Sequence, residues 1–329
     1  MTTWLPVADR LALALVVLLG ALAIAIGLRA GESRPDADEL VYRRTLVSMQ
    51  RGAGYYTAMR TALVRKEGAP PSQVRSVRPP TMFLLLRPFP RSSWRWLVGI
   101  VYLTVLLLAW RLSRVLAPWG GPVGVTLSAV WLFGAASRLY LHSELWGLPF
   151  LLGGALALRS QRWVAGAALL AAAVLFRETY AVSFVAAVVL ADGAAARRPL
   201  WAAAAVLVVL GGVHVWLAQG ALSAHGHENA LRNGTLGVRS AVNVVSPSDD
   251  PLGWVLGLAS LVLGGLGFVS RWRVDPAARV LAATAAVLIP ATIAVGREYW
   301  ALTYGVGVAT YVPAGVVLLA RRRDTVPAP

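Results

Sequence analysis

Apolar residues in this chain gather in long runs that recur from one end to the other, separated by short polar stretches. Ten runs read as spans, over 11–29, 94–110, 122–138, 144–158, 163–176, 179–191, 200–218, 252–270, 278–295 and 300–320. The longer ones approach 20 residues. At about 1.5 Å per residue, a helix of that length covers the roughly 30 Å of bilayer hydrocarbon. Arginines close the runs at Arg111/Arg114, Arg159/Arg162, Arg197/Arg198, Arg271/Arg273 and Arg321/Arg322/Arg323. Such clusters mark cytoplasmic loops, which puts both termini in the cytoplasm. The opposite ends carry Arg138 with His142 and Glu144, Arg177-Glu178, a His/Glu loop at 225–228, and Arg297-Glu298. One face therefore reads as merely basic and the other as mixed, and function is expected on the mixed face.

Residues 163–191 read as one long helix or as two short ones broken at Arg177-Glu178. Arg162 and Arg197/Arg198 share the cytoplasmic side, so the chain must cross twice between them, which favours the break. Short spans are tolerated where they line a cavity or a thinned bilayer. The pattern predicts an all-α polytopic membrane protein with three parts. Residues 1–220 form a transmembrane module that includes an external loop at 30–93, residues 221–251 a second external loop, and residues 252–329 the last spans and a short tail.

Within the first loop, Asp38 to Arg51 reads as an amphipathic helix with Tyr42, Leu46 and Met49 on one face. Gly52-Ala53-Gly54 ends it. Tyr55 to Lys66 reads as a second, with Tyr56, Met59 and Leu63 similarly spaced and Pro70-Pro71 as its stop. Pro79 to Leu86 is apolar but too short to span. In the second loop, Ser248-Asp249-Asp250-Pro251 reads as a cap on the next helix.

Composition supports this picture. The chain is 57% hydrophobic and 14% charged over 329 residues. Leu11–Leu28 resembles a signal-peptide core, but it is long and poorly followed, and it reads as a retained first span. No cysteine is present, which excludes disulfides, thiolate nucleophiles and cysteine metal sites. The formal charge of +16 would suggest nucleic acid in a soluble protein. Here the cytoplasmic clusters account for much of it, and nucleic acid is a poor guess. Lys66 is the one lysine.

Candidate chemistry sits at the mixed ends. Asp36, Asp38 and Glu39 follow the first span; a carboxylate there can act as a base or hold a divalent cation beside a phosphate. Alternatively, Asp36 or Asp38 caps a helix starting near Glu39. Arg177-Glu178 reads either as an internal salt bridge fixing the turn or as an arginine that grips phosphate, oriented by Glu178. Arg297-Glu298-Tyr299 repeats the arrangement. In Arg138–Glu144, Ser143 is a natural N-cap and Glu144 a first-turn acid, while His142 can take a proton or ligate a metal. His225-Gly226-His227-Glu228 has a metal-like composition without a zinc spacing. His214 reads as a hydrogen-bonded packing residue, and Gly153-Gly154 and Gly211-Gly212 as close helix contacts. No P-loop, dinucleotide fingerprint or nucleophile elbow occurs.

The chain resembles the GT-C superfamily of integral membrane glycosyltransferases over roughly residues 8–220. The resemblance is carried by Asp38-Glu39 after the first span, then Tyr42, Gly52-Ala53-Gly54-Tyr55-Tyr56, Arg78-Pro79-Pro80-Thr81, His142-Ser143-Glu144-Leu145 and Phe176-Arg177-Glu178-Thr179. It implies a GT-C-like bundle of about ten spans in the bacterial inner membrane, and a polyprenyl-phosphate sugar donor used on the non-cytoplasmic face. The acceptor would be an envelope glycan, lipid or protein hydroxyl. Asp38, then Asp36, would be the base, and Arg177 and Arg297 would stabilise the lipid phosphate. His142 or Glu144 would orient sugar or acceptor, with Arg138, Glu178 and Glu298 beside the donor. Tyr55, Tyr56, His225, His227 and Glu228 are candidates for an acceptor or loop site. Relatives differ in metal use, so a divalent cation stays open. A lipid-linked sugar flippase and a non-catalytic envelope-assembly subunit are the alternatives.

Overall fold

A computed structural model of the chain describes residues 6–30, 37–67, 77–136, 141–222, 251–295 and 300–324, and among them all regular structure is helical. The order is α1 (Val7–Ala30), α2 (Ala37–Gln50), α3 (Tyr55–Glu67), α4 (Thr81–Leu86), α5 (Arg91–Ser113), α6 (Gly120–Ala136) and α7 (Ser143–Arg159). It continues with α8 (Trp163–Phe176), α9 (Ala181–Val189), α10 (Ala194–Gln219), α11 (Pro251–Arg271), α12 (Pro276–Val295) and α13 (Trp300–Asp324). In their described residues the ten apolar runs fall on helix, apart from a residue or two at the ends. Among the described residues four helices are long and apolar enough to cross a membrane: α5, α10, Trp254–Arg271 of α11 and Thr303–Arg321 of α13. Gly120–Leu132, Trp163–Phe176, Glu178–Val189 and Pro276–Thr292 are apolar but shorter.

Helix α7 is the spine, burying Leu145, Leu148, Leu151, Leu152, Ala155 and Leu158. Helix α8 packs against it along Gly154, where a Cβ would stand 2.8 Å from Leu170. Helices α11 and α13 approach still more closely. A Cβ on Gly267 would lie 2.1 Å from the Tyr311 carbonyl oxygen, so only glycine fits there. The expected close contact at Gly211-Gly212 is not found, since nothing lies within 4 Å of a Cβ at either position. Both belong to α10, which packs on α8 and α9. It leaves Trp201, Val208 and Trp216 exposed at 62–74%. A helix this apolar, with so little protein cover, calls for an apolar solvent around it.

The two amphipathic helices of the first loop form as their pattern requires. Helix α2 buries Val41, Tyr42, Leu46 and Met49, and α3 buries Met59 and Leu63 with Tyr55, while Tyr56, expected on that face, is only half-buried. These positions recur every three or four residues and face one another across the pair. Gly52, at φ +99°, supplies the left-handed residue of the turn between them. The break in 163–191 is also present. Arg177 leaves α8 in an extended conformation (φ −155°, ψ 128°), and a 3-10 turn over Glu178–Tyr180 feeds α9.

The other end of the bundle is not merely basic. Arg159 pairs with Asp275 at 2.6 Å and Arg279 with Asp192 at 2.6 Å. Trp110 Nε1 donates to Asp9 Oδ1 at 2.9 Å. The acids that neutralise these arginines lie 87 to 116 residues away in sequence or on another helix, so the local runs of arginine hid them.

Candidate functional site

The first-loop helices bring Asp38 to the mixed end of the bundle. Because α2 starts at Ala37, Asp38 lies inside its first turn and does not cap it. Its Oδ1 accepts a hydrogen bond from Lys66 Nζ of α3 at 2.7 Å. Burial pushes the Asp38 carboxyl up, but the bond and charge of Lys66, aided by His142 and Arg78, outweigh it and hold the group below its ordinary value. Glu39 is buried at 3% exposure and pairs with Arg43 one turn along the same helix.

His142 and Glu144 enter from the start of α7. His142, not Ser143, occupies the position before the first helical residue, and its side chain makes no cap bond there. It is 2% exposed, and its ring meets Tyr42 edge to face at 5.6 Å. Burial drives the Tyr42 phenol up to about 12, so it stays protonated. Ser143 Oγ lies 3.5 Å from Glu144 Oε2. Glu144 is a first-turn acid as expected, but its partner is Arg177. The Nε–Oε1 distance is 2.7 Å, and Tyr180 donates its hydroxyl to the Glu144 carbonyl.

Arg177 also approaches Glu178, with Nη1 3.3 Å from Oε1. The same Glu178 oxygen accepts from Arg78 Nη1 at 3.0 Å. Arg78 is therefore the second guanidinium of the site. Two tyrosines fix the segment that carries it. Tyr55 donates its hydroxyl to the Arg78 carbonyl. His214 Nε2 lies 3.1 Å from the Val77 carbonyl, and its Nδ1 lies 3.0 Å from the Tyr56 hydroxyl. A carbonyl only accepts, so Nε2 carries a proton and donates it to Val77. Thr81 Oγ1 adds a bond to the Leu175 carbonyl at 2.6 Å. The expected packing role of His214 is what the geometry gives it, and Tyr55 and Tyr56 have both hydroxyls engaged in holding residues 77–78.

The arrangement thus joins Lys66–Asp38, Arg78–Glu178 and Arg177–Glu144 around His142 and Tyr42. Three cations balance three carboxylates. A phosphate entering here must compete with Glu178 for Arg78, since Arg177 is only 2% exposed. A hydroxyl approaching Asp38 must exchange with Lys66. Among the described residues no group of three or more His, Asp or Glu is placed to hold a metal ion. Asp36, Arg138, His225, His227, Glu228, Arg297 and Glu298 lie outside the described residues.

Sequence reasoning missed Lys66 and Arg78 as site residues. Lys66 carried one signal, its singularity among 31 basic residues. Arg78 stood in a proline-bearing motif whose side chain drew no role. No known protein family, curated protein or solved structure matches this chain.

Proposed function

We propose that the protein is a membrane glycosyltransferase of GT-C type, with ten spans and both termini in the cytoplasm of a bacterial plasma membrane. It takes a hexose or pentose from a polyprenyl phosphate to a hydroxyl of an envelope glycan, lipid or protein on the outer face. One observation carries the reading. Asp38, on an amphipathic helix after the first apolar run, is bonded to Lys66 and lies within the electrostatic reach of His142 and Arg78, and Arg78 shares Glu178 with Arg177.

In this reading the acceptor hydroxyl replaces Lys66 beside Asp38 and gives Asp38 its proton as oxygen attacks the sugar C1. The bond from C1 to the phosphate oxygen breaks, and polyprenyl phosphate leaves with its added negative charge. Arg78 meets that charge, with Arg177 holding Glu178 so that Arg78 is aimed. A single displacement inverts the anomeric carbon. Lys66 has two opposed effects: it keeps Asp38 ionised at neutral pH, and while paired it makes Asp38 a weak base.

The test is release of free polyprenyl phosphate from a panel of polyprenyl-phosphate sugars by purified protein in lipid with crude envelope acceptor. Acceptor-dependent release with one donor supports the transferase, and Asp38→Asn should abolish it while the protein stays folded. Donor translocation without release, or full turnover by D38N, would reject Asp38-assisted transfer.

A further inference from the structure

Away from the Asp38 network, a groove of about 340 Å³ runs between α2 and α3 and reaches the start of α5. Arg43, Arg44, Arg51, Arg65 and Arg91 line it, and among the described residues no carboxylate does. Arg43 is held by Glu39, whereas Arg44, Arg51, Arg65 and Arg91 are exposed. None of the residues in the Asp38 network lines this groove. Five guanidinium groups converging from three elements raise a strong positive potential, and each offers forked donors suited to phosphate oxygens.

Position along the bundle selects the source of that phosphate. Arg91 is the first residue of α5, a helix long and apolar enough to cross a membrane. The groove therefore lies at the depth where an apolar span gives way to water, which is the headgroup layer. Gln50 Nε2 donates to the Phe89 carbonyl at 2.7 Å and pins the end of α2 to the turn before α5. Apolar side chains, Leu40, Val47, Ala58 and Ala62, stand between the arginines of the lining. The segment entering α5 leaves Leu84, Phe89 and Trp96 exposed at 37–55%. A soluble phosphate needs none of that apolar surface, whereas a lipid glycerol and its upper acyl carbons do.

We propose that this groove is a binding site for the phosphodiester headgroup of an anionic lipid of the outer leaflet, distinct from the Asp38 network. It rests on the membrane placement of the chain and not on the transferase reading. Docked there, the lipid would clamp α2, α3 and the entrance of α5 together. Neutralising the groove would let the two loop helices sit close to the membrane surface.

The full-length protein in zwitterionic detergent is titrated with phosphatidylglycerol or phosphatidylcholine, reading bound lipid by native mass spectrometry and unfolding by thermal melt. Phosphatidylglycerol should bind at least about tenfold more tightly and raise the melting temperature, with the gain shrinking as salt rises. The combined variant Arg44→Gln, Arg51→Gln, Arg65→Gln should lose that preference. Arg60→Gln, which removes an exposed charge from α3 outside the groove, should keep it. Equal binding of the two lipids, or an unchanged preference in the triple variant, overturns the proposal. So does full competition by glycerol phosphate at matched concentration, which would make the groove a site for soluble phosphate. Asp38→Asn should bind the lipid as the wild type does, so a failed transferase assay leaves this result standing.

Discussion

Arg177 places its Nε 2.7 Å from Oε1 of Glu144, and the two side chains are 2% and 1% exposed. The pair ties the end of α8 to the start of α7 at the point where the chain breaks from helix into the 3-10 turn. Removing one partner of a buried pair strands the other charge and costs about 3–5 kcal/mol. We expect Arg177→Met or Glu144→Leu each to lower stability by about that amount. The double variant should recover much of the loss, because neither charge is then stranded. Thermal unfolding of all three proteins in the same lipid checks this. Single variants within about 1 kcal/mol of wild type would show the pair to be dispensable.

The Asp38–Lys66 bond predicts an acid-sensitive clamp between α2 and α3. Asp38 is held below its ordinary carboxyl value in the folded protein. Its contribution is therefore complete above the unfolded value of about 3.9 and fades as pH falls through the lower folded value. Wild type should be more stable than D38N at neutral pH, and the two should converge well below about pH 4. Lys66→Met removes the main opposing influence, so burial pushes Asp38 up and the acid limb that Asp38 contributes shrinks or reverses, stability no longer falling as pH drops through the carboxyl range. Melting temperatures of the three proteins between about pH 3 and 7 decide it.

Much of the architecture was legible because apolar runs and helix length are the same physical constraint. The runs at 94–110 and 200–218 became α5 and α10, and Tyr42, Leu46 and Met49 became the buried face of α2. Pairings across the fold were not legible. Asp38 meets Lys66 at a separation of 28 residues, and Arg78 meets Glu178 at 100. Nothing in either local pattern names the other. Ser143 illustrates the opposite failure. Its type suited a cap, but α7 begins at Ser143 itself, and the neighbouring Glu144 is paired with buried Arg177.

Glycines of the same sequence type carry different weight according to what faces them. Gly267→Ala would drive a Cβ to 2.1 Å from the Tyr311 carbonyl, and backbone cannot swing aside as a side chain can. We expect a loss of about 1–3 kcal/mol through separation of α11 and α13. Gly211→Ala meets nothing within 4 Å and adds a good helix former to α10. It should be neutral or stabilising by up to about 1 kcal/mol. Thermal melts of both variants separate the two cases, and equal effects would contradict the close approach of α11 and α13 at Gly267.

At the far end of the bundle, one carboxylate gathers four elements. Asp275 Oδ1 accepts from the Ala277 amide at 3.0 Å and so caps α12. Its Oδ2 accepts from Arg159 Nε at 2.9 Å and from the Tyr311 hydroxyl at 2.7 Å. Arg159 in turn donates through Nη1 to the Leu112 carbonyl at the end of α5. Asp275→Asn keeps the shape and one acceptor for the cap, but it turns a donor toward Arg159 and removes the charge that Arg159 needs. A loss of about 3 kcal/mol or more is expected, against about 1 kcal/mol for Tyr311→Phe, which leaves the Arg159–Asp275 pair intact. On the transferase reading proposed above, the same variants test which end of the molecule carries the reaction. The network around Asp275 lies on the opposite face from Asp38, so the surviving folded fraction of D275N should retain wild-type donor release per molecule in the polyprenyl phosphate assay. A folded D275N protein with normal melting behaviour and no release would contradict the independence of the two ends and make Asp275 necessary for release.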